Sequence, residues 1–213
     1  MAEQVSEQTT NRLSLYLRFL NKLDADGVRT VSSKVLAAEF DLNAALIRKD
    51  LSRFGDFGVR GVGYVVKDLK QRLRQILGLD RRLNVAIIGA GNLGLALADY
   101  PGFRQDGFRI VALFDTLDAK VGRESRSGVR IHHIEDLKRV ARREGITIAV
   151  IAVPAGVAQT VVNTVVEASI KAVLNFSPGS LRVPRDVKLK SVDFTVSLES
   201  LSFHLARGEP GVS

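Results

Sequence analysis

The spacing of apolar residues changes near position 80. Before it they recur every three or four positions; after it they come in short unbroken runs. Leu13, Tyr16, Leu17, Leu20 and Leu23 form an i, i+3/i+4, i+7 stripe, which predicts an amphipathic helix with Thr10 as its N-cap. Ser32 or Ser33 can cap a second helix reaching about Phe40, and Asn43 a third over residues 44–54. On the third helix Ile47, Leu51 and Phe54 share a face, while Arg48, Lys49, Ser52 and Arg53 fall on the remaining arc. One side is fit to pack and the other to meet phosphates and base edges, as a helix-turn-helix recognition helix requires. Residues 55–66, rich in glycine and β-branched side chains, predict a small hairpin with Arg60 near its tip. A further helix over about residues 66–77 stops at Gly78.

The second half alternates strands and helices. Residues 84–88 read as a buried strand, followed by a glycine turn and a helix to about Tyr100, stopped by Pro101. Residues 110–114 form a second apolar run ending on Asp115, and residues 129–131 a short strand. A helix over 134–144 ends at Gly145; residues 146–153 are too apolar for a half-exposed strand and suit one covered on both faces. Residues 155–170 read as helix and 171–176 as strand. This order predicts a doubly wound parallel sheet. Beyond Pro178 only residues 197–206 give a pattern, a last helix with Leu198, Leu201 and Leu205 in one stripe. The expected division is a winged helix-turn-helix domain over residues 1–80 and a Rossmann-like domain over 81–213.

Charge sharpens the first half. The chain of 213 residues carries a formal +8, and residues 29–82 hold 12 Lys/Arg against 6 Asp/Glu. A basic excess concentrated there suits an anionic partner, DNA being the common one. An arginine on a glycine hairpin, here Arg60, can enter a narrow minor groove. The chain has no cysteine, which excludes disulfides, thiolate zinc sites and thiol redox switching. No apolar run approaches the ~18 residues of a membrane span, so no membrane partner is expected. The polar start lacks a secretion signal, and the cytoplasm is the expected compartment.

Candidate chemistry centres on Gly89-Ala90-Gly91-Asn92-Leu93-Gly94, between strand and helix, with Asp115 twenty-one residues after Gly94. That order is the dinucleotide-binding signature. Gly89 permits the tight turn, Gly91 lets backbone approach a pyrophosphate, and Gly94 lets helix and strand pack closely. Backbone N–H groups at the helix start would take the phosphates. Asp115 would accept the adenosine ribose hydroxyls and repel a 2′-phosphate, which favours NAD(H) over NADP(H); nearby Lys120 is not expected to reverse this. Tyr100 is either close to the nicotinamide or simply a helix-end tyrosine. Pro154, Asn175 and Phe176 lie at strand ends, which face the ligand crevice of such sheets. Phe194 either covers the nicotinamide or packs in the core. His132 and His133 are adjacent and point apart on a strand, and with His204 they make no catalytic or metal set. Ser177 and Ser180 lack a nearby base. No catalytic residue is expected. An NAD-dependent oxidoreductase with an accessory domain, or a Rossmann domain holding another nucleotide such as coenzyme A, are the competing readings.

Several runs together resemble the Rex-type redox-sensing transcriptional repressors. They are Ile47-Arg48-Lys49-Asp50-Leu51-Ser52, the wing stretch from Gly58 to Tyr64, the glycine turn followed by Ala96 to Phe103, Leu174-Asn175-Phe176 and Val192-Asp193-Phe194. The resemblance covers about residues 10–207. It implies a homodimer on double-stranded operator DNA, binding both NADH and NAD⁺ as effectors, with NADH releasing the operator. It also implies that the last helix is exchanged between subunits, and that Asp193 pairs with Arg18 in the DNA-competent form and with Tyr100 when NADH is bound. Arg53 departs from the family pattern and adds charge to the recognition helix.

Overall fold

The computed structural model describes residues 5–59 and 61–208. The chain divides into two compact units, Met1–Arg81 and Arg82–Ser213, each described here by itself.

In the first unit α1 (Glu7–Ala25) is followed by β1 (Thr30–Val31), α2 (Ser33–Glu39), α3 (Ala44–Ser52), β2 (Gly58–Val59), β3 (Gly63–Val65) and α4 (Val66–Ile76). The three short strands form one antiparallel sheet in the order β1-β3-β2. Helix, helix, recognition helix and hairpin is the winged-helix order. Leu13, Tyr16, Leu17 and Leu20 of α1 pack with Leu36, Ile47, Leu51, Leu69 and Leu73 into one core. The caps of α2 and α3 are Ser32 and Asn43, whose side chains accept from Val35 N and Ala45 N. The cap of α1 is Ser6, not Thr10. Ser6 Oγ accepts from Thr9 N, and Thr10 Oγ1 instead donates back to the Ser6 and Glu7 carbonyls. Glu7 in the first turn suits the positive end of the helix dipole. Helix α3 stops at Ser52, so Phe54 packs from the turn beyond it rather than from the helix face.

The second unit contains β4 (Leu83–Ile88), α5 (Asn92–Ala98), α6 (Gly102–Gln105), β5 (Phe108–Asp115), β6 (Ile131–His133), α7 (Leu137–Glu144), β7 (Ile146–Ile151), α8 (Ala155–Glu167), β8 (Ala172–Asn175), β9 (Lys188–Ser191) and α9 (Phe194–Arg207). Its six-stranded sheet runs β6-β5-β4-β7-β8-β9, every pair parallel. The order reverses direction at β4, between β5 and β7, and ligands of such sheets bind beyond the strand ends at that point. Along β4, Ala86 and Ile88 enter a core with α7 and α8, while Val85 and Ile87 enter another with Ala98 of α5. Both faces are therefore covered, which explains the unbroken apolar runs.

Several elements of this unit depart from the pattern-based expectation. The short strand is residues 131–133 rather than 129–131, because Arg130 bridges Glu124 outside the sheet. Helix α5 ends at Ala98, and α6 follows Pro101 as a separate turn. Strand β9 was not expected; its Lys-Leu-Lys-Ser sequence has an edge strand's polarity. Helix α9 starts three residues early because Asp193 Oδ1 accepts from Thr195 N and Val196 N.

Asp50 of α3 faces inward and is 2% exposed. Burial alone would raise its carboxyl, but hydrogen bonds from Arg12 and Tyr16 outweigh this and hold it below the ordinary carboxylate range. A depressed folded value means stability present above the unfolded value and lost as pH falls through the folded one. Replacing Asp50 with Asn should lower the thermal midpoint of the full chain at neutral pH by roughly 5 °C or more. The variant should also lose less than the natural chain between about pH 5 and pH 3, since it no longer carries this carboxylate. Melting curves by circular dichroism check both; parallel acid limbs would show that Asp50 does not contribute.

Candidate functional site

The first candidate site is built on the glycine turn after β4. Gly89 has φ +106°, and a Cβ there would lie 2.3 Å from the Ala152 carbonyl oxygen. A Cβ on Gly94 would lie 1.8 Å from the Gly89 carbonyl oxygen. Neither position has room for a side chain, so α5 and β7 close directly on the turn. Gly91 is the opposite case, exposed and with nothing within 4 Å of a Cβ position. Its open side leaves space for a ligand to approach backbone. No side chain caps α5, so the first N–H groups of the helix are left for a partner.

Beside the turn lies a cleft of about 660 Å³ lined by Gly89, Gly91, Asp115, Lys120, Val153 and Pro154 among others. Asp115 ends β5 and is the acidic residue of the lining. Its Oδ2 accepts from Ala90 N at 2.9 Å and Lys120 Nζ at 2.8 Å, and its Oδ1 from Leu117 N at 3.1 Å. Burial pushes this carboxyl upward, but the Lys120, Leu117 and Ala90 donors prevail and hold it below its ordinary value. It is thus an anion at neutral pH, aimed at the cleft.

Two expected contacts change meaning here. Ala90 was expected among the cofactor-binding residues; its N–H donates to Asp115 and ties the turn to β5. Asn175 was expected to touch cofactor, yet it is fully buried. Its Nδ2 donates to Ser177 O and Ser191 Oγ, and its Oδ1 accepts from Ser177 N. Ser177 Oγ in turn donates to Val153 O at 2.6 Å. The Asn175 side chain therefore positions the loops after β7 and β8. Sequence reasoning passed over Lys120 and Ser177 as structural partners; an acid followed by a lysine five residues on was the available signal.

The remaining residues lie outside that cleft's lining. Tyr100 is exposed and stacks edge-on against Phe103, with ring centroids 5.2 Å apart. Half-buried Phe176 and exposed Phe194 lie 5.9 Å apart in a tilted pair. Asn92 and Leu93 are exposed at the start of α5. His132 packs its ring against Phe114, at 5.7 Å.

The second site is the outer arc of α3. Arg48, Lys49, Ser52 and Arg53 are all exposed, while Ile47, Asp50 and Leu51 are buried. Arg48 Nη1 donates to Ser33 Oγ at 3.1 Å, so the first residue of α2 holds the guanidinium. Between α2, α3 and the hairpin lies a cleft of about 640 Å³ that includes Ser33, Lys34, Arg48 and Gly61. Arg60 lies outside the described residues.

A cationic winged-helix unit joined to a nucleotide-binding Rossmann unit defines a ligand-responsive DNA-binding regulator. Comparison with known proteins narrows the class. Residues 4–52 match the model "Putative DNA-binding protein N-terminus" and residues 80–179 the model "CoA binding domain". The redox-sensing transcriptional repressor Rex of Syntrophomonas wolfei is 50% identical over 95% of this chain and 96% of its own. The Rex of Desulforamulus reducens is 44% identical, covering 98% and 99%. The crystal structure of RSP with β-NAD⁺ and operator DNA is similar at TM-score 0.92 and 38% identity, over 97% of this chain and 94% of that one. RSP with β-NADH gives 0.86 and 36%, over 97% and 96%. The chain belongs to the Rex family of redox-sensing transcriptional repressors.

Replacing Asp115 with Ala should weaken NADH binding about 10- to 100-fold, the range for losing charged hydrogen bonds. The loss should be smaller for NADPH, which no longer meets a negative charge. Titration calorimetry with both nucleotides tests this, and unchanged NADH affinity would remove Asp115 from the site.

Proposed function

We infer that this chain is a transcriptional repressor, not an enzyme, that binds operator DNA and lets go when NADH binds. The observation that carries the reading is the pairing of an exposed cationic recognition helix with a dinucleotide cleft ending on Asp115. A relative of the same architecture, RSP, crystallised with operator DNA and NAD⁺ and with NADH, supports it. We assign DNA binding to residues 1–80 and the dinucleotide to 81–213. Arg48, Lys49, Ser52, Arg53 and Arg60 are the proposed DNA contacts. Gly89, Gly91, Asn92, Leu93 and Gly94 are the proposed pyrophosphate cradle, with Asp115 on the ribose and Pro154 at the crevice wall.

NADH and NAD⁺ share adenosine, riboses and pyrophosphate and differ by a hydride and a positive charge at the nicotinamide. Asp115 and the glycine turn therefore hold what is common, and Tyr100, Phe176 and Phe194 are the proposed discriminating groups. NADH must bind the DNA-incompetent arrangement more tightly, because a ligand with equal affinity for both shifts nothing. Operator DNA must weaken NADH binding by the same factor. Arg18 and Asp193 are the proposed coupling pair, with Tyr100 as the alternative partner of Asp193. The "CoA binding domain" match raises a second nucleotide, but an anionic Asp115 at the ribose position disfavours any ribose phosphate.

The proposed unit of action is a homodimer joined through α9. No residue of α9 is buried. Phe194, Leu198, Leu201 and Leu205 share one face at i, i+4, i+7 and i+11, and Val196 and Phe203 lie opposite; all are more than half exposed, Leu205 at 82%. A helix apolar on opposite faces suits enclosure rather than one-sided packing. A second copy that takes in α9 supplies that enclosure, as the family's exchanged helix would. Among the described residues no helix is long and apolar enough to cross a membrane. The cytoplasm, where the operator lies, is the proposed compartment.

Gel-shift titration on a palindromic duplex should show complex dissolved by NADH and retained with NAD⁺. Arg18→Ala should bind the duplex but resist NADH release. Equal retention of the natural protein with and without saturating NADH would overturn the reading. Leu198→Glu with Leu205→Glu should turn the dimer into monomer in sedimentation velocity and weaken palindrome binding at least tenfold; an unaltered dimer would exclude α9 from the interface.

A further inference from the structure

A polar network crosses the otherwise apolar core of the N-terminal unit. Arg12 of α1 donates to Asp50 of α3 as a fork, Nε to Oδ2 at 2.6 Å and Nη2 to Oδ1 at 2.7 Å. Tyr16 Oη donates to the same Oδ2 at 3.0 Å. Arg12 Nη2 also donates to Thr9 Oγ1 at 3.2 Å, and Thr9 Oγ1 lies 3.0 Å from Oγ of the α1 cap Ser6. Ser6, Thr9, Arg12 and Tyr16 follow one another at three- and four-residue steps, so the cap and one stripe of α1 form a chain that ends on a single carboxylate. The Asp50 side chain is 3% exposed and that of Arg12 20%.

The placement of Asp50 gives the network its consequence. It is the residue after Lys49 and lies two before Ser52, on the back of the helix whose front carries the cations. Apolar contacts at Ile47 and Leu51 resist separation of α3 from the core, but they tolerate small rolls and slides. A planar guanidinium on two carboxylate oxygens does not, because both bonds fix one orientation. A buried ion pair adds little net stability compared with apolar residues of similar size; its best-attested use is conformational specificity.

Resting on the repressor reading above, we propose that Arg12, Asp50 and Tyr16 are positioning residues that set the roll of α3 and so aim Arg48, Lys49, Ser52 and Arg53 at base edges. The network serves sequence-specific binding, while non-specific attraction to phosphates depends on the surface cations alone. It also makes α1 and α3 one body, so whatever moves α1 moves the recognition helix.

The test uses the full chain and a duplex that the natural protein selects from a randomised pool. Two variants are compared with it. Arg12→Lys keeps the charge and loses the fork. Arg12→Met with Asp50→Leu replaces the pair by apolar volume. Both should bind NADH as the natural chain does and retain its affinity for unrelated duplex at low salt. Both should bind the selected duplex at least tenfold more weakly, and the double variant should melt within a few degrees of the natural chain. Natural affinity for the selected duplex in both variants would overturn the proposal. So would failure of the double variant to fold, which would make the pair a support of the fold itself. Failure of the natural chain to select any duplex would instead remove the repressor reading, and this inference with it.

Discussion

The dinucleotide half of the molecule depends on how closely three backbones meet beyond β4. The Gly89 carbonyl lies where a Gly94 side chain would begin, and the Ala152 carbonyl lies where a Gly89 side chain would begin. That closeness brings the start of α5 over the end of β4 and leaves Gly91 open. It also places Asp115 within reach of Ala90 N, so the end of β5 is tied to the turn. The proposed phosphate cradle and the proposed ribose acceptor thus come from one packing constraint. Widening the contact by a single methyl group would move both.

A comparable constraint operates in the N-terminal unit, with charge in the role of steric closeness. The core around Leu13, Leu20, Leu36 and Leu69 holds the helices together through non-directional apolar contact. Asp50 and Arg12 add direction. Directional bonds inside an apolar core are costly when half-made, so the arrangement tends to be kept whole or lost. Such all-or-none geometry suits a regulator, because graded deformation of α3 would blur the difference between operator and other DNA.

The glycine turn, its flanking strand and helix, and Asp115 were readable because each residue type there answers a local steric or electrostatic need. The exposed cations of α3 were readable for the same reason: helical spacing separates them from Ile47 and Leu51. The Arg12–Asp50 pair was not, since its partners are 38 residues apart and only the tertiary fold joins them. A carboxylate on the apolar side of α3 was the one local hint. The burial of Asn175 was not readable, because a strand end points toward the crevice while this side chain turns back to satisfy Ser177. Thr10 and Ser6 are equally able caps by type; the fold decides between them by burying Thr9 and starting α1 earlier. Strand β9 had no apolar signature because an edge strand needs none.

Helix α9 connects these local constraints to regulation. Its cap, Asp193, is also the residue proposed to exchange partners between Arg18 and Tyr100. A carboxylate at a helix N-cap is anchored by backbone N–H groups, here those of Thr195 and Val196. Movement of that carboxylate therefore carries the helix start with it. If α9 is enclosed by a second copy, its displacement is a displacement between subunits, and half-site spacing on DNA responds to subunit geometry. A difference of one hydride at a nicotinamide can then be expressed as a change in the separation of two recognition helices. The amplification needs only that the enclosed helix have two packed positions, since close-packed interfaces switch between arrangements more readily than they deform.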